Sequence, residues 1–95
     1  MVIVAGWFSV APEDRDKFVD GHEDLIRRAR KAPGCLDLAI SGDPVDPSRV
    51  NMFELWESDD ALNAWRAVAN PPAQFTEILG GDVQKHEISK SGPPF

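Results

Sequence analysis

The stretch Met1 to Val10, MVIVAGWFSV, reads as a β-strand that is apolar on both faces, and this constrains the fold more than any other feature. β-Branched and aromatic residues dominate it, and Ala11-Pro12 ends it. Val2, Val4, Gly6, Phe8 and Val10 fall on one side, and Ile3, Ala5, Trp7 and Ser9 on the other. Such a strand needs cover on both sides. The helices of a 95-residue chain can cover one of them. A second copy is the expected cover for the other, with Trp7 and Ile3 at its centre.

Length and charge narrow the classes further. Ninety-five residues make one domain, and 42% hydrophobic with 27% charged residues is a globular balance. Ten basic residues against sixteen acidic ones give a net charge of −6, which argues against nucleic acid and anionic membranes as partners. No apolar run approaches the roughly 20 residues of a membrane span. The apolar start has no basic region before it and is broken by Gly6, unlike a signal peptide. Cys35 stands alone, so neither a disulfide framework nor a cysteine-based zinc site is available, and a reducing cytoplasm is the expected compartment.

Pro12-Glu13-Asp14 has the form of a helix start, and Pro33-Gly34 of a stop. Between them Phe18, His22, Leu25 and Ala29 form one stripe at spacings of four, three and four. Arg27, Arg28, Arg30 and Lys31 complement the dipole at the far end. Cys35 to Ser41 alternates as a second strand, a loop with Asp43-Pro44 and Asp46-Pro47 follows, and Arg49 to Glu57 is a third strand. Ser58 or Asp59 caps a helix through Leu62, Trp65 and Val68. Past Asn70-Pro71-Pro72, Ala73 to Leu79 is expected to add a helical turn or two, with Phe75, Ile78 and Leu79 inward. Gly80-Gly81 is expected to break it before a fourth strand, Asp82 to Ser89. Residues 1–90 thus form one α+β domain, and 91–95 a flexible tail. The order β-α-β-β-α-β predicts a ferredoxin-like antiparallel sheet with helices on one face. Its bare face is expected to meet a second sheet, giving a dimeric α+β barrel.

No phosphate loop, dinucleotide fingerprint or nucleophile elbow is present. His22 stands on the buried stripe of the first helix, where it would serve as a base in a cavity or as a core-edge histidine bonded to a carbonyl. Glu54 sits mid-strand between Met52 and Trp56, either lining a pocket or pairing with Arg49, Arg66 or a loop amide. Trp56 and Trp65 are pocket walls for a flat ligand or plain core. Cys35 has no activating neighbour in sequence and reads as a passive thiol, and His86 reads as exposed.

Three segments together resemble the antibiotic biosynthesis monooxygenase family: the first strand with Ala11-Pro12-Glu13, the turn Pro33-Gly34-Cys35-Leu36, and Phe53-Glu54-Leu55-Trp56-Glu57-Ser58 followed by Ala61-Leu62. The similarity extends over roughly residues 2–89. It implies a dimeric α+β barrel with a cavity between helices and sheet in each subunit. It also implies oxidation of phenols to quinones by molecular oxygen without flavin, metal or haem, while other branches degrade haem. Trp65 matches the family's tryptophan on the second helix in type and setting. The family's first-strand asparagine falls at Gly6, or at Trp7 in a register shifted by one, and a double proline replaces the histidine of the haem branch. On this basis His22 and Trp65 are the catalytic candidates, and Gly6, Phe8, Phe18 and Glu54 line the substrate, with no metal and no cofactor. The expected ligand is a small aromatic or polycyclic phenol. The alternative is a non-catalytic dimeric barrel that binds or senses a small hydrophobic molecule.

Overall fold

The structure, a computed structural model, describes residues 1–95. The strands are β1 (Val2–Ser9), β2 (Cys35–Gly42), β3 (Arg49–Trp56) and β4 (Gly80–Glu87), and the helices α1 (Pro12–Asp20), α2 (Glu23–Arg30) and α3 (Asp59–Val68). All strand pairs are antiparallel and the sheet order is β2-β3-β1-β4, the ferredoxin-like α+β arrangement. The molecule is only 19 Å thick along its shortest axis, one sheet and one layer of helices.

Register sorts the side chains. Val2 pairs with Trp56, Val4 with Glu54, Gly6 with Met52 and Phe8 with Val50, all on the face toward the helices. Ile3, Ala5 and Trp7 stand opposite Leu55, Phe53 and Asn51 on the bare face, as the two-sided pattern predicts. Under the helices the core forms two clusters. The larger contains Val2, Val4, Leu25, Ala29, Leu38, Trp56, Leu62 and Trp65; the smaller is Val10, Phe18 and Val50. The cross-sheet row Ile40–Met52–Gly6 lies between them.

Three expectations need correction. The first helix is not continuous, because the chain breaks at Gly21-His22. There the His22 amide bonds to the Val19 carbonyl instead of continuing the α pattern to Phe18, and the imidazole Nδ1 takes the Phe18 carbonyl at 2.7 Å. Residues 73–79 form no helix. Asn70 turns left-handed (φ 45°) after α3, and Pro71-Pro72 supply no amide donors, so nothing nucleates a new turn. Phe75, Ile78 and Leu79 are consequently not inward but 47%, 46% and 62% exposed.

Thirdly, Gly80-Gly81 opens β4 rather than ending a helix. A Cβ at Gly6 would collide with the Asp82 carbonyl oxygen, and one at Gly81 with the Trp7 carbonyl. Both glycines have positive φ, 152° and 157°, and together they let β1 and β4 approach. Every residue of β4 is exposed.

Candidate functional site

Between the two core clusters lies a cavity of about 230 Å³, roofed by helix side chains and floored by the sheet. Phe8, Phe18, His22, Glu54 and Trp65, five of the six residues singled out from the sequence, all line it. Leu25, Leu38, Ile40 and Met52 complete its apolar wall, and Arg66 joins the polar lining. Gly6 does not line it; it belongs to a shallow depression on the bare face with Trp7, Asp82 and His86.

The helix break sets the histidine. Phe18 is buried against Val10 and Val50, and its ring lies 4.6 Å from the imidazole and 5.5 Å from Phe8, edge-on to the latter. A backbone carbonyl only accepts, so the 2.7 Å bond assigns the proton to Nδ1 in the neutral ring. Nε2 is then left with its lone pair. His22 is half-buried, not at the bottom of the core.

Trp65 is 7% exposed and held from two sides. Trp56 stacks on it at 6.3 Å with planes 24° apart, and the Arg28 guanidinium sits 5.6 Å from its ring. Arg28 is itself fixed by Asp24 and by the carbonyls of Ala69 and Asn70 at the end of α3. Ser58 begins that helix by accepting the Ala61 amide at 3.1 Å, as the sequence predicts. Trp56 is fully buried and lines no cavity, so of the two tryptophans only Trp65 faces the site.

Glu54 accepts the Trp56 indole N–H at 3.0 Å, and neither Arg49 nor Arg66 pairs with it. The two residues share a strand face two positions apart, a pairing that alternation alone would have revealed. Cys35 is not part of the site. Burial, then the charges of Asp37 and Glu54, raise its pKa, so the thiol stays protonated.

A second hollow, about 650 Å³, adjoins the first and shares Phe18 and His22 with it. Its remaining wall is the end of α1 and the segment Pro71–Phe75 with Ile78. The sequence expectation missed it by placing a helix there. The signal was the double proline, which leaves apolar residues without a helix to turn them inward.

Chains of this shape recur. A protein described as an antibiotic biosynthesis monooxygenase superposes with a TM-score of 0.67 at 20% identity, covering 95% of this chain and all of that one. PA3566 of Pseudomonas aeruginosa gives 0.72 at 17% identity with 90% of each chain covered. The heme-degrader MhuD of Mycobacterium tuberculosis, solved with two hemes in its active site, gives 0.69 at 16% identity, covering 98% and 100%. At such identities the likeness is one of fold. In sequence, the uncharacterised protein sll1783 of Synechocystis is 27% identical over 62 residues, which are 65% of this chain and 42% of that protein. This chain thus spans less than half the length of that relative. The family model for antibiotic biosynthesis monooxygenase matches residues 1–70, about three quarters of the chain, and the protein belongs to that family.

Proposed function

We propose that the protein is a cofactor-independent monooxygenase that oxidises a small aromatic or polycyclic phenol with molecular oxygen. The observation that carries this reading is the 2.7 Å contact between His22 Nδ1 and the Phe18 carbonyl. The Phe18 carbonyl holds Nδ1–H, and the bare Nε2 belongs to a ring that borders an apolar cavity shared with Trp65. A phenol stacked near Trp65 would pass its proton to Nε2. The phenolate then gives one electron to oxygen, and the phenoxyl radical and superoxide combine at the para carbon. Loss of water leaves a quinone, so one phenol and one oxygen molecule become one quinone and one water. Phe8 and Phe18 would flank the ring, and Glu54, tied to Trp56, would hold the polar side of the cavity. Gly6 would act through the close packing of β1 on β4 rather than by touching ligand.

Independence from a metal centre rests on the donor set, and independence from haem on Pro71-Pro72, which stand where the haem branch is expected to carry its histidine. The cavity offers one imidazole and one carboxylate already engaged with an indole. His86 stands across from Ile3 on the bare sheet face, away from the cavity. The protonated, solitary Cys35 suits a reducing cytoplasm.

The working unit we propose is a homodimer with sheets face to face. The chain exposes 6254 Å², against about 5400 Å² from mass scaling for a compact monomer of this size. The excess belongs to an open molecule, with one sheet face uncovered by helices and β4 exposed throughout. Ile3, Ala5, Trp7, Phe53 and Leu55 on the bare face are only half-buried. Sedimentation at micromolar concentration should give a dimer, and a compact monomer would overturn this assembly.

The test of the chemistry pairs oxygen uptake on a naphthol with thermal melting. His22→Ala should cut turnover by at least about 10²-fold, the lower end for a positioned base, with melting little changed. No turnover by the parent on any phenol would instead favour a module that binds a small hydrophobic molecule.

A further inference from the structure

We infer that the ligand has two parts, an aromatic head in the inner cavity and an apolar chain in the outer hollow, as in an alkyl-substituted phenol. The head rests on the function proposed above; the chain rests on the second hollow. The inner cavity, about 230 Å³, is smaller than the roughly 300–1,000 Å³ usual for small-molecule sites. The outer one adds about 650 Å³, and the two meet at Phe18 and His22. A ligand whose hydroxyl reaches His22 is therefore already at the mouth of the outer hollow.

The outer wall selects an apolar chain. Pro71, Pro72, Ala73, Phe75 and Ile78, with Phe18, are six of its eleven lining residues, and Lys17, Asp20 and Gln74 are the polar ones besides His22. Phe75 and Ile78 are about half exposed, with nothing of the chain laid over them. Phe75 is fixed on its other sides by Phe18 at 6.5 Å and by the Lys17 ammonium at 4.7 Å from its ring. The prolines carry no N–H, so an extended peptide would find no ladder of donors there. The protein's own C-terminal tail is badly placed to fill the hollow. It leaves the sheet beside Met1, where the Ile88 amide bonds to the Met1 carbonyl, whereas Leu79 joins the sheet at Ser9, the other end of β1. Eight strand residues, about 26 Å, separate those ends. The wall segment Pro71–Ile78 lies beyond the family match, which ends at residue 70, while the α1 side of the hollow lies within it.

The test is a titration of the whole protein, read by tryptophan fluorescence, with ortho-alkylphenols from ortho-cresol to ortho-hexylphenol, whose chain starts beside the hydroxyl and leaves the para carbon free. Affinity should rise about fourfold per buried methylene. Phe75→Ser, at a half-exposed position, should remove about tenfold from ortho-hexylphenol and leave ortho-cresol within twofold, with melting as the control for folding. If ortho-cresol binds and chain length makes no difference, the two-part ligand is overturned while the cavity reading stands. Equal weakening of both phenols by Phe75→Ser likewise overturns the chain's place in the hollow. If no phenol binds, both readings fall together.

Discussion

The two core clusters beneath the helices are built on opposite principles. The larger one holds Trp56 at 0% and Leu62 at 1% exposure, and its neighbours come from β1, β2, β3, α2 and α3. The smaller, Val10, Phe18 and Val50, is apolar too but too small to hold α1 down by itself. A polar clasp does the rest. Arg15 donates to the carbonyls of Asp43 at 2.8 Å and Asp46 at 2.9 Å, and Val10 donates to Ser48 at 3.0 Å. Asp43 in turn accepts from the amides of Val45 and Asp46 and from the Asn51 side chain. The lesson is a division of labour: one end supplies stability, the other a helix that is fastened to a loop, and the cavity occupies the gap between them.

The sharpest way to probe that division is to hollow out the larger cluster. Trp56→Ala should cost about 3–5 kcal/mol in a denaturant melt, because the ring is fully buried and the Trp65 stack and the Glu54 acceptor go with it. A loss below about 1 kcal/mol would mean that the two ends share the load equally.

Acid should act on the other end. Asp43 is held below the ordinary carboxylate range, first by the Asn51 side chain and then by the Asp46 and Val45 amides. Asp46 is held low by the amide and hydroxyl of Ser48. Because the folded-state pKa is depressed in both, their contribution is complete above the unfolded value near 4 and drains away as pH falls through the folded one. Protection of the amides in α1 and in residues 43–49 against exchange should therefore fall below about pH 4 before that in α3 does. Arg15→Gln should reproduce the same selective loosening at neutral pH. Uniform loosening of the whole chain would erase the distinction between the ends.

Much of this layout is legible from residue pattern. The alternation in Met1–Val10 assigns Val2 and Val4 to the helices and Ile3 and Trp7 to the bare face, and the register agrees. The stripe Phe18–His22–Leu25 and the position of Trp65 bring the right side chains to one cavity. What pattern could not show is the break at His22. Helical spacing is indifferent to whether a carbonyl is taken by the next amide or by an imidazole, and only the three-dimensional turn decides it. The same holds for Gly6. Its place in the strand is plain, but its need for a bare Cα comes from Asp82, a residue 76 positions away. The segment after Pro72 carries apolar residues at helical spacing, but the prolines before it remove the means to start a helix.

A gap between two separately secured clusters also bears on how such a chain can change over generations. Met52, Ile40 and Phe8 face the gap outside the two clusters, and a substitution there meets empty space on one side instead of a fully interlocked neighbour. Met52 in particular is an unbranched thioether that conforms to whatever lies beside it. The walls of the gap can therefore drift toward a new ligand while Trp56, Leu62 and Val50 keep the scaffold standing. Selection on what the pocket holds is largely uncoupled from selection on whether the chain folds, and one frame becomes open to many molecules.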